Sequence, residues 1–176
     1  MGKFLFRIAK LEIMGAFVGF ALAYCPFLVP VKKIMQNKYA ISFMHPSAVY
    51  PDHILIIPRR IVQTVFCLSN KDILEIIEMA IKIRQDDNRD CVLMINGGKK
   101  QDVMQAHFHL FTGNLIEIKK LSNKIGSSFL LQDKQNADIT IGSSLHSLLR
   151  QHNISEESFS LIIQFKKDAD LSIYLL

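Results

Sequence analysis

The sequence predicts an α+β fold in which a single helix packs across an antiparallel sheet. Short apolar runs with the two-residue period of strands stand on both sides of one amphipathic helix. The predicted order is strand, strand, helix, strand, loop, strand, which favours hairpins over parallel crossovers. At 176 residues the chain can bury one hydrophobic core, so we expect one domain with appendages.

The helix has the clearest predicted boundaries. Ser69 is predicted to cap it, and Asp72 stands three residues later, as in a capping box with aspartate in the glutamate position. A polar turn at residues 86–90 ends it. Before the helix, residues 39–44 alternate like a strand, and the β-branched run at residues 53–58 ends at a proline. The apolar face of the helix consists of Ile73, Ile76, Ile77, Ala80 and Ile83.

Further elements are predicted after this helix. Residues 91–95 form a buried strand, and residues 96–100 form a turn. Near the C-terminus, residues 158–165 and 171–176 flank a charged turn and predict a hairpin, preceded by a short helix around residues 145–149. The sequence leaves open whether this hairpin extends the sheet, covers the site or contacts a second copy of the chain.

Residues 105–111 alternate polar and apolar side chains, which predicts a strand with two different faces. Gln105, His107 and His109 are expected to project together from one face. The residues between them are expected to turn into the core. These core residues are Ala106, Phe108 and Leu110. The strand therefore presents two imidazoles, and it is the most informative stretch of the chain for function.

The N-terminal residues predict a membrane anchor. Residues 13–31 contain no charge, and basic residues stand on both sides. This length is close to the about 20 residues that span a bilayer, so we expect a single span with the domain in the cytoplasm. Without the anchor, a cytoplasmic protein is expected. Positive charge on both sides leaves the orientation open.

Two alternatives to the anchor stay open. Residues 21–23 resemble the small-x-small cleavage site of a signal peptide. A hydrophobic helix that ends at Pro26 or Pro30 could instead pack onto the domain or into a dimer, because proline interrupts helices.

Composition excludes several classes of protein. The net charge of +5 comes from 21 basic and 16 acidic residues, and the basic residues are dispersed or paired. The sequence contains no recognition helix, zinc-finger spacing or aromatic-rich binding strand, so we expect no nucleic-acid partner. Its three cysteines stand far apart and outside any CxxC motif. This argues against a disulfide scaffold or a thiolate zinc site.

Two segments resemble the signatures of the histidine-triad (HIT) superfamily. The first is residues 51–60, and the second is residues 96–111, in which histidines alternate with apolar residues. The resemblance covers about residues 31–114 and implies a HIT-like core there. It divides the chain into a hydrophobic segment at residues 1–30, this core, and an extension with a helix and a hairpin at residues 115–176.

The resemblance implies nucleotidyl transfer at the α-phosphate of a nucleotide conjugate, through a covalent nucleotidyl-histidine. His107 takes the middle position and is the implied nucleophile, because a neutral imidazole is nucleophilic near neutral pH. His109 takes the third position, where it can bind a phosphoryl oxygen or the leaving group, and Gln105 takes the first. The residues implied at the substrate are Asn96, Gly98, His53, His45, Lys100, Gln101 and Asp102.

The implied scheme requires no metal or other cofactor. Its partner is a nucleotide or nucleotide conjugate. If the N-terminal segment is a membrane anchor, a lipid-linked conjugate is favoured as the substrate. Whether the chain forms a homodimer stays open.

Two departures from the family pattern bear on turnover. Gln105 replaces the first histidine, and it can serve if that position supplies only a backbone carbonyl to the ring of the nucleophile. Asp102 replaces a serine or threonine that donates to phosphate, which an ionised carboxylate cannot do. These departures favour an alternative, a catalytically degenerate protein that binds nucleotides or a protein partner. Intact His107, His109 and Asn96 favour the enzyme.

Two other interpretations of the histidines stay open. Because the loop before the triad is shorter than in the family, a shifted register would make His107 the first member, His109 the nucleophile and Phe111 the third. Alternatively, His45 and His53 could join these two histidines around a zinc ion. No carboxylate or cysteine stands at ligand spacing with them, so we expect no metal.

Overall fold

The computed structural model describes residue 21 and residues 31–45, 52–85, 90–98, 101, 103, 105–112, 129–131, 158–165 and 171–175. These residues contain one α-helix, α1 (Asn70–Gln85), a short 3-10 turn (Val65–Cys67) and eight strands. The strands are β1 (Lys33–Gln36), β2 (Ala40–Met44), β3 (Ile54–Pro58), β4 (Cys91–Gly98), β5 (Phe108–Thr112), β6 (Phe129–Leu131), β7 (Ser158–Phe165) and β8 (Leu171–Leu175).

The described strands join one sheet in the order β1-β2-β3-β5-β4-β7-β8-β6. Every neighbouring pair is antiparallel, so the predicted antiparallel sheet with a helix across it is confirmed. The two C-terminal strands pair as a hairpin, with Phe165 opposite Leu171. Because β7 also pairs with β4, this hairpin extends the sheet.

Two predicted elements lie outside the described residues. They are the helix around residues 145–149 and the hydrophobic segment 1–30, of which only residue 21 is described. Within the described parts of the chain, no helix is long and apolar enough to cross a membrane. The membrane anchor and the orientation of the domain stay predictions.

The N-terminus of α1 carries the predicted capping box. The backbone N–H of Asp72 donates to Ser69 Oγ at 3.2 Å, and the backbone N–H of Ser69 donates to the Asp72 carboxylate at 2.9 Å. Arg60 adds two hydrogen bonds to the same carboxylate oxygen, of 3.0 Å from Nε and 2.6 Å from Nη2. The start of the helix is therefore tied to the segment that follows β3.

The apolar side of α1 shares one core cluster with one face of the sheet. Strand period explains this face, because alternate residues of β3, β4, β5 and β7 point toward the helix. Ala106, Phe108 and Leu110 lie in the cluster, as predicted. The sheet residues of this face include Ile54, Ile56, Leu93, Ile95, Phe108, Leu110, Leu161 and Ile163. The opposite face is therefore where the intervening residues lie.

Two local predictions are wrong. The expected turn at residues 96–100 does not begin at Asn96, because β4 continues to Gly98 opposite Ser158 of β7. Gly98 has a φ of 59°, where a side chain is disfavoured, and it stands at the end of the strand. The expected strand at residues 105–111 begins only at Phe108. Gln105 and His107 therefore precede the strand.

Candidate active site

Three histidines meet on the sheet face that α1 does not cover. His109 lies on β5, where it pairs with Leu55 of β3 and Met94 of β4. His45 directly follows β2 and His53 directly precedes β3. The backbone N–H of His45 donates to the carbonyl of His53 at 2.8 Å, so the antiparallel pairing of the two strands continues to these residues.

The three rings form a compact cluster. His45 stacks on His53 with centroids 4.2 Å apart and an interplanar angle of 7°. His53 Nε2 lies 3.0 Å from His109 Nδ1, so one of these nitrogens donates to the other. Each ring offers one nitrogen within 4.8 Å of the nitrogens of the other two. The convergence of these three positions was predicted only through the family resemblance.

His107 has a different partner. Its Nδ1 lies 2.7 Å from the backbone carbonyl of Gln105, and the ring is buried. Since a carbonyl only accepts, Nδ1 carries the proton, and the lone pair of the neutral ring is on Nε2. The ring of His107 meets that of His109 edge to face, with centroids 4.9 Å apart. The nucleophile predicted from the sequence therefore lies beside the cluster, with its tautomer fixed.

Gln105 does not share a face with the two histidines, which corrects the sequence prediction. Its side chain is buried and binds the backbone after β3. Oε1 accepts from the N–H of Val62 at 3.2 Å, and Nε2 donates to the carbonyl of Arg60 at 3.1 Å. Strand period failed here because residues 105–107 precede β5. The Gln105 backbone reaches His107, while its side chain holds a neighbouring loop.

The environment keeps two of the imidazoles uncharged near neutral pH. Burial, with repulsion from His45 and His107, lowers the pKa of His53 from 6.5 to about 4. Burial also lowers the pKa of His109 well below 6.5, and repulsion from its histidine neighbours acts in the same direction. These rings therefore interact with an anion as N–H donors rather than as positive charges.

Asn96 lies two residues after Met94 on β4, on the same face as His109. Its Oδ1 accepts a 2.8 Å hydrogen bond from Oγ of Ser160, which is buried on β7. This contact directs the amide N–H groups of Asn96 away from Ser160. Ser160 is not predicted as a site residue from the sequence. The available signal was a serine within the apolar alternation of residues 158–165.

The remaining predicted site residues are placed less centrally or lie outside the described chain. Gly98 ends β4 and accepts a 3.0 Å hydrogen bond from the backbone N–H of Gln101. The Gln101 side chain donates to the carbonyls of Gln63 and Val103, at 2.6 and 2.7 Å. It thus holds the loop before the triad. Lys100 and Asp102 are outside the described residues.

Comparison with known proteins shows the family of this chain. The sequence matches the HIT domain over residues 28–115. No curated protein matches the sequence.

Solved structures similar to this chain include a phosphorylase and proteins described as Hit-like or histidine triad. Yeast Ap4A phosphorylase in complex with Ap4A superposes with a TM-score of 0.60 at 13% identity, covering 89% of this chain and 65% of that chain. A Hit-like protein gives 0.50 at 22% identity, covering 55% and 98%. A histidine triad protein from Clostridium difficile gives 0.48 at 21% identity, covering 55% and 90%. At these identities the likeness describes the fold alone.

Proposed function

Because the chain belongs to the HIT-domain family, we propose that it hydrolyses or transfers the nucleoside monophosphate part of a nucleotide conjugate. The reaction takes place at the α-phosphate through a covalent nucleotidyl-histidine on His107. One observation carries the proposal, the 2.7 Å contact between His107 Nδ1 and the Gln105 carbonyl. It places the proton on one ring nitrogen and the nucleophilic lone pair on the other.

The proposed chemistry proceeds in two displacements. In the first, the Nε2 lone pair of His107 forms a bond to the α-phosphorus, and the bond from phosphorus to the leaving group breaks, at oxygen in a phosphoanhydride or at nitrogen in a phosphoramidate. In the second, water or another acceptor attacks the same phosphorus, and the P–N bond breaks. The electron pair of that bond returns to Nε2, and the water gives up a proton. Dividing the displacement in this way replaces one difficult attack by two easier ones.

His109 and Asn96 are proposed to bind the phosphoryl oxygens. When His53 donates to Nδ1 of His109, His109 carries its own proton on Nε2, where it can donate to a phosphoryl oxygen or the leaving group. Asn96 can donate from its amide nitrogen because Ser160 occupies its oxygen. Such fixed donors stabilise charge that develops in the transition state without having to reorganise.

A second function has specific support. Because the Gln105 side chain is committed to the backbone of Arg60 and Val62, it supplies no group to a phosphate. The site then has one imidazole fewer than the family pattern. A protein that binds nucleotides without turnover fits this loss, and it remains the alternative to the enzyme.

Covalent trapping distinguishes the two functions. The full-length protein is mixed with nucleotide conjugates labelled at the α-phosphate, and the acid-labile, base-stable label expected of phosphohistidine is measured. We expect labelling and turnover in the wild type and neither in His107→Asn, which keeps a polar side chain of similar length. His109→Asn is the control for the shifted register, and it should still be labelled. Nucleotide binding without label or turnover in the wild type would refute the enzyme.

The substrate panel also tests the predicted anchor. It includes a lipid-linked nucleoside diphosphate beside soluble conjugates. Preference for the lipid conjugate, together with recovery of the full chain in the membrane fraction, would support a membrane-anchored enzyme with its domain in the cytoplasm. Full recovery without detergent would contradict the anchor and leave the proposed chemistry unaffected.

A further inference from the structure

We propose that Arg60 is a positioning residue for His107 and acts through the backbone of residues 60–63, here called the support segment. The inference rests on the proposed function, in which His107 is the nucleophile. The Arg60 side chain binds Asp72 at the start of α1, and α1 covers the sheet face opposite to the histidines. Any effect of Arg60 on the reaction is therefore indirect.

The support segment holds the residues that come directly before the nucleophile. The backbone N–H of Ala106 donates to the Val62 carbonyl at 2.6 Å. The Gln105 carboxamide accepts from the Val62 N–H at 3.2 Å and donates to the Arg60 carbonyl at 3.1 Å. Gln105 and Ala106 are thus both hydrogen-bonded to the support segment, and His107 is the next residue along the chain.

A second glutamine attaches the loop between β4 and β5 to the same segment. Gln101 Nε2 donates to the Gln63 carbonyl at 2.6 Å and to the Val103 carbonyl at 2.7 Å. The backbone N–H of Gln105 donates to the same Val103 carbonyl at 2.8 Å. The loop is therefore attached to the support segment on both sides of Val103.

The Arg60 side chain fixes the support segment to the helix. Its Nε and Nη2 donate to one oxygen of the Asp72 carboxylate, at 3.0 and 2.6 Å, and Nη2 also donates to the Cys67 carbonyl at 2.9 Å. Because Asp72 forms the capping box with Ser69, its carboxylate has a fixed place at the first turn of α1. The support segment itself lies between β3 and the 3-10 turn, so the guanidinium provides its charged link to the helix.

A second attachment of the support segment is apolar. Val62 is 3% exposed and lies in the core cluster, whereas Ile61 and Gln63 on either side are exposed. Burial of an apolar side chain is non-directional, so Val62 sets the depth of the segment without fixing its orientation. Charge-assisted hydrogen bonds are directional and about twice as strong as neutral ones. The Arg60 guanidinium therefore fixes the direction in which the backbone groups of the segment point.

That direction matters because the nucleophile depends on one short contact. The Gln105 carbonyl lies 2.7 Å from His107 Nδ1 and keeps the lone pair on Nε2. A displacement of about 1 Å can slow a reaction about a hundredfold. In Arg60→Gln the buried Val62 still holds the segment, so we expect a smaller loss, of about threefold to tenfold in kcat. KM should stay within about twofold, because Arg60 lies away from the substrate face.

The test compares Arg60→Gln with Arg59→Gln in the full-length protein. Arg59 is the adjacent arginine, and its side chain donates to the Asn37 carbonyl at 3.4 Å instead of binding the helix. The Arg60 side chain is 46% exposed, so the substitution opens no buried cavity and the variant should fold. The measurements are kcat and KM per folded molecule, on a conjugate that labels the wild type. Arg60→Lys, which retains the charge, is the second variant in case Arg60→Gln does not fold, and it should lose less kcat.

Nuclear magnetic resonance of protein with isotope-labelled histidine gives a second measurement that needs no turnover. The proton on His107 Nδ1 is buried and hydrogen-bonded, so it should give a separate signal, identified by its absence from His107→Asn. We expect this signal to shift or broaden in Arg60→Gln and to stay unchanged in Arg59→Gln.

A lower kcat with an unchanged KM and a changed His107 signal in Arg60→Gln, but not in Arg59→Gln, would support the proposal. Equal kcat and an unchanged signal in the wild type and both Arg60 variants would overturn it, as would an equal loss of kcat in Arg59→Gln. Absence of label and turnover in the wild type would refute the proposed function instead. The His107 signal would then decide alone whether Arg60 positions this ring.

Discussion

The two faces of the sheet are built by different rules. The face under α1 is apolar, and its side chains need only alternate correctly and fill space. The opposite face carries His53, His109, Asn96 and Ser160, whose polar atoms need partners. Those partners come from strands far apart in sequence. One face therefore follows from periodicity, and the other depends on how the strands are ordered.

Strand β5 shows the contrast in adjacent residues. Phe108 is 0% exposed and belongs to the core cluster under the helix. His109 points the other way and is hydrogen-bonded to His53. Two adjacent residues therefore serve different purposes, Phe108 in the core and His109 in the candidate site. Substitutions on the two faces should affect different measurements.

The largest effect on stability is expected at Phe108. Phe108→Ala removes a buried ring from the core and should lower the free energy of unfolding by about 3–5 kcal/mol. His109→Asn should cost about 1–2 kcal/mol, because it removes only the hydrogen bond to His53 and leaves a polar atom less well satisfied. Urea unfolding of both variants measures this. If Phe108→Ala and His109→Asn lost equal free energy of unfolding, the proposed difference between the two faces of the sheet would be contradicted.

A smaller loss is expected at Gln105. Gln105→Ala leaves the buried N–H of Val62 without its acceptor and should lower the free energy of unfolding by about 2 kcal/mol. The backbone carbonyl that binds His107 is unchanged. Turnover per folded molecule should therefore fall by less than about tenfold, or about 1.4 kcal/mol.

Gln105→His is the matched variant, because it restores the residue of the family pattern. If Gln105→His raises turnover by a larger factor than that by which Gln105→Ala lowers it, the backbone carbonyl of residue 105 alone does not give full activity. The imidazole of the first triad position would then be required.

The capping box at the start of α1 should make the stability depend on pH. Burial raises the pKa of Asp72, but hydrogen bonds from Ser69 and Arg60 outweigh it and hold the pKa below 3.8. A carboxyl with a lowered pKa in the folded state stabilises the protein above its unfolded pKa. This stabilisation is lost as the pH falls through the folded pKa.

Asp72→Asn should therefore lower the free energy of unfolding by about 1–2 kcal/mol at neutral pH. The difference from the wild type should shrink as the pH falls below about 4. Urea unfolding from neutral pH to about pH 3 measures the difference. Glu78→Gln, on an exposed position of α1, is the control and should change little at any pH. A constant difference for Asp72→Asn would exclude the ionised carboxylate as its cause.

Local patterns predicted the parts of the molecule that depend on short-range rules. The capping box at Ser69 and Asp72 was predicted because both bonds form within one turn. The core positions Phe108 and Leu110 were predicted because the strand period is fixed by the backbone. The family resemblance added His45 and His53 to the site, which no local period connects.

The wrong predictions have a common cause, because in each case the residue binds a segment that is distant in the sequence. Asn96 was assigned to a turn because Gly97 and Gly98 follow it, yet β7 provides a partner strand for all three. Gln105 was assigned to a strand face, yet its side chain is held by residues 60 and 62. In both cases the partner lies tens of residues away, where composition and periodicity contain no information on pairing. The role of Ser160 escaped for the same reason.

The smallest effect is expected from Ser160, and it tests whether the C-terminal hairpin contributes to the site. Ser160 lies beyond the residues that match the HIT domain, but its hydroxyl orients the Asn96 amide at 2.8 Å. Ser160→Ala should lower kcat by about fivefold to tenfold, since one hydrogen bond contributes about 1 kcal/mol. KM should change less, because a misdirected amide still allows the substrate to bind.

Ser42→Ala provides a matched control for this prediction. Ser42 is also 0% exposed, but its hydroxyl binds backbone rather than a site side chain, accepting from Met35 N–H at 3.0 Å and donating to the Met35 carbonyl at 3.1 Å. Both variants should lose a similar amount of stability, but only Ser160→Ala should lose turnover. If Ser160→Ala and Ser42→Ala reduce turnover equally, the loss reflects a general destabilisation of the sheet. If only Ser160→Ala does, a strand outside the HIT match helps to position a phosphate-binding amide, and the active site extends past the residues that match the HIT domain.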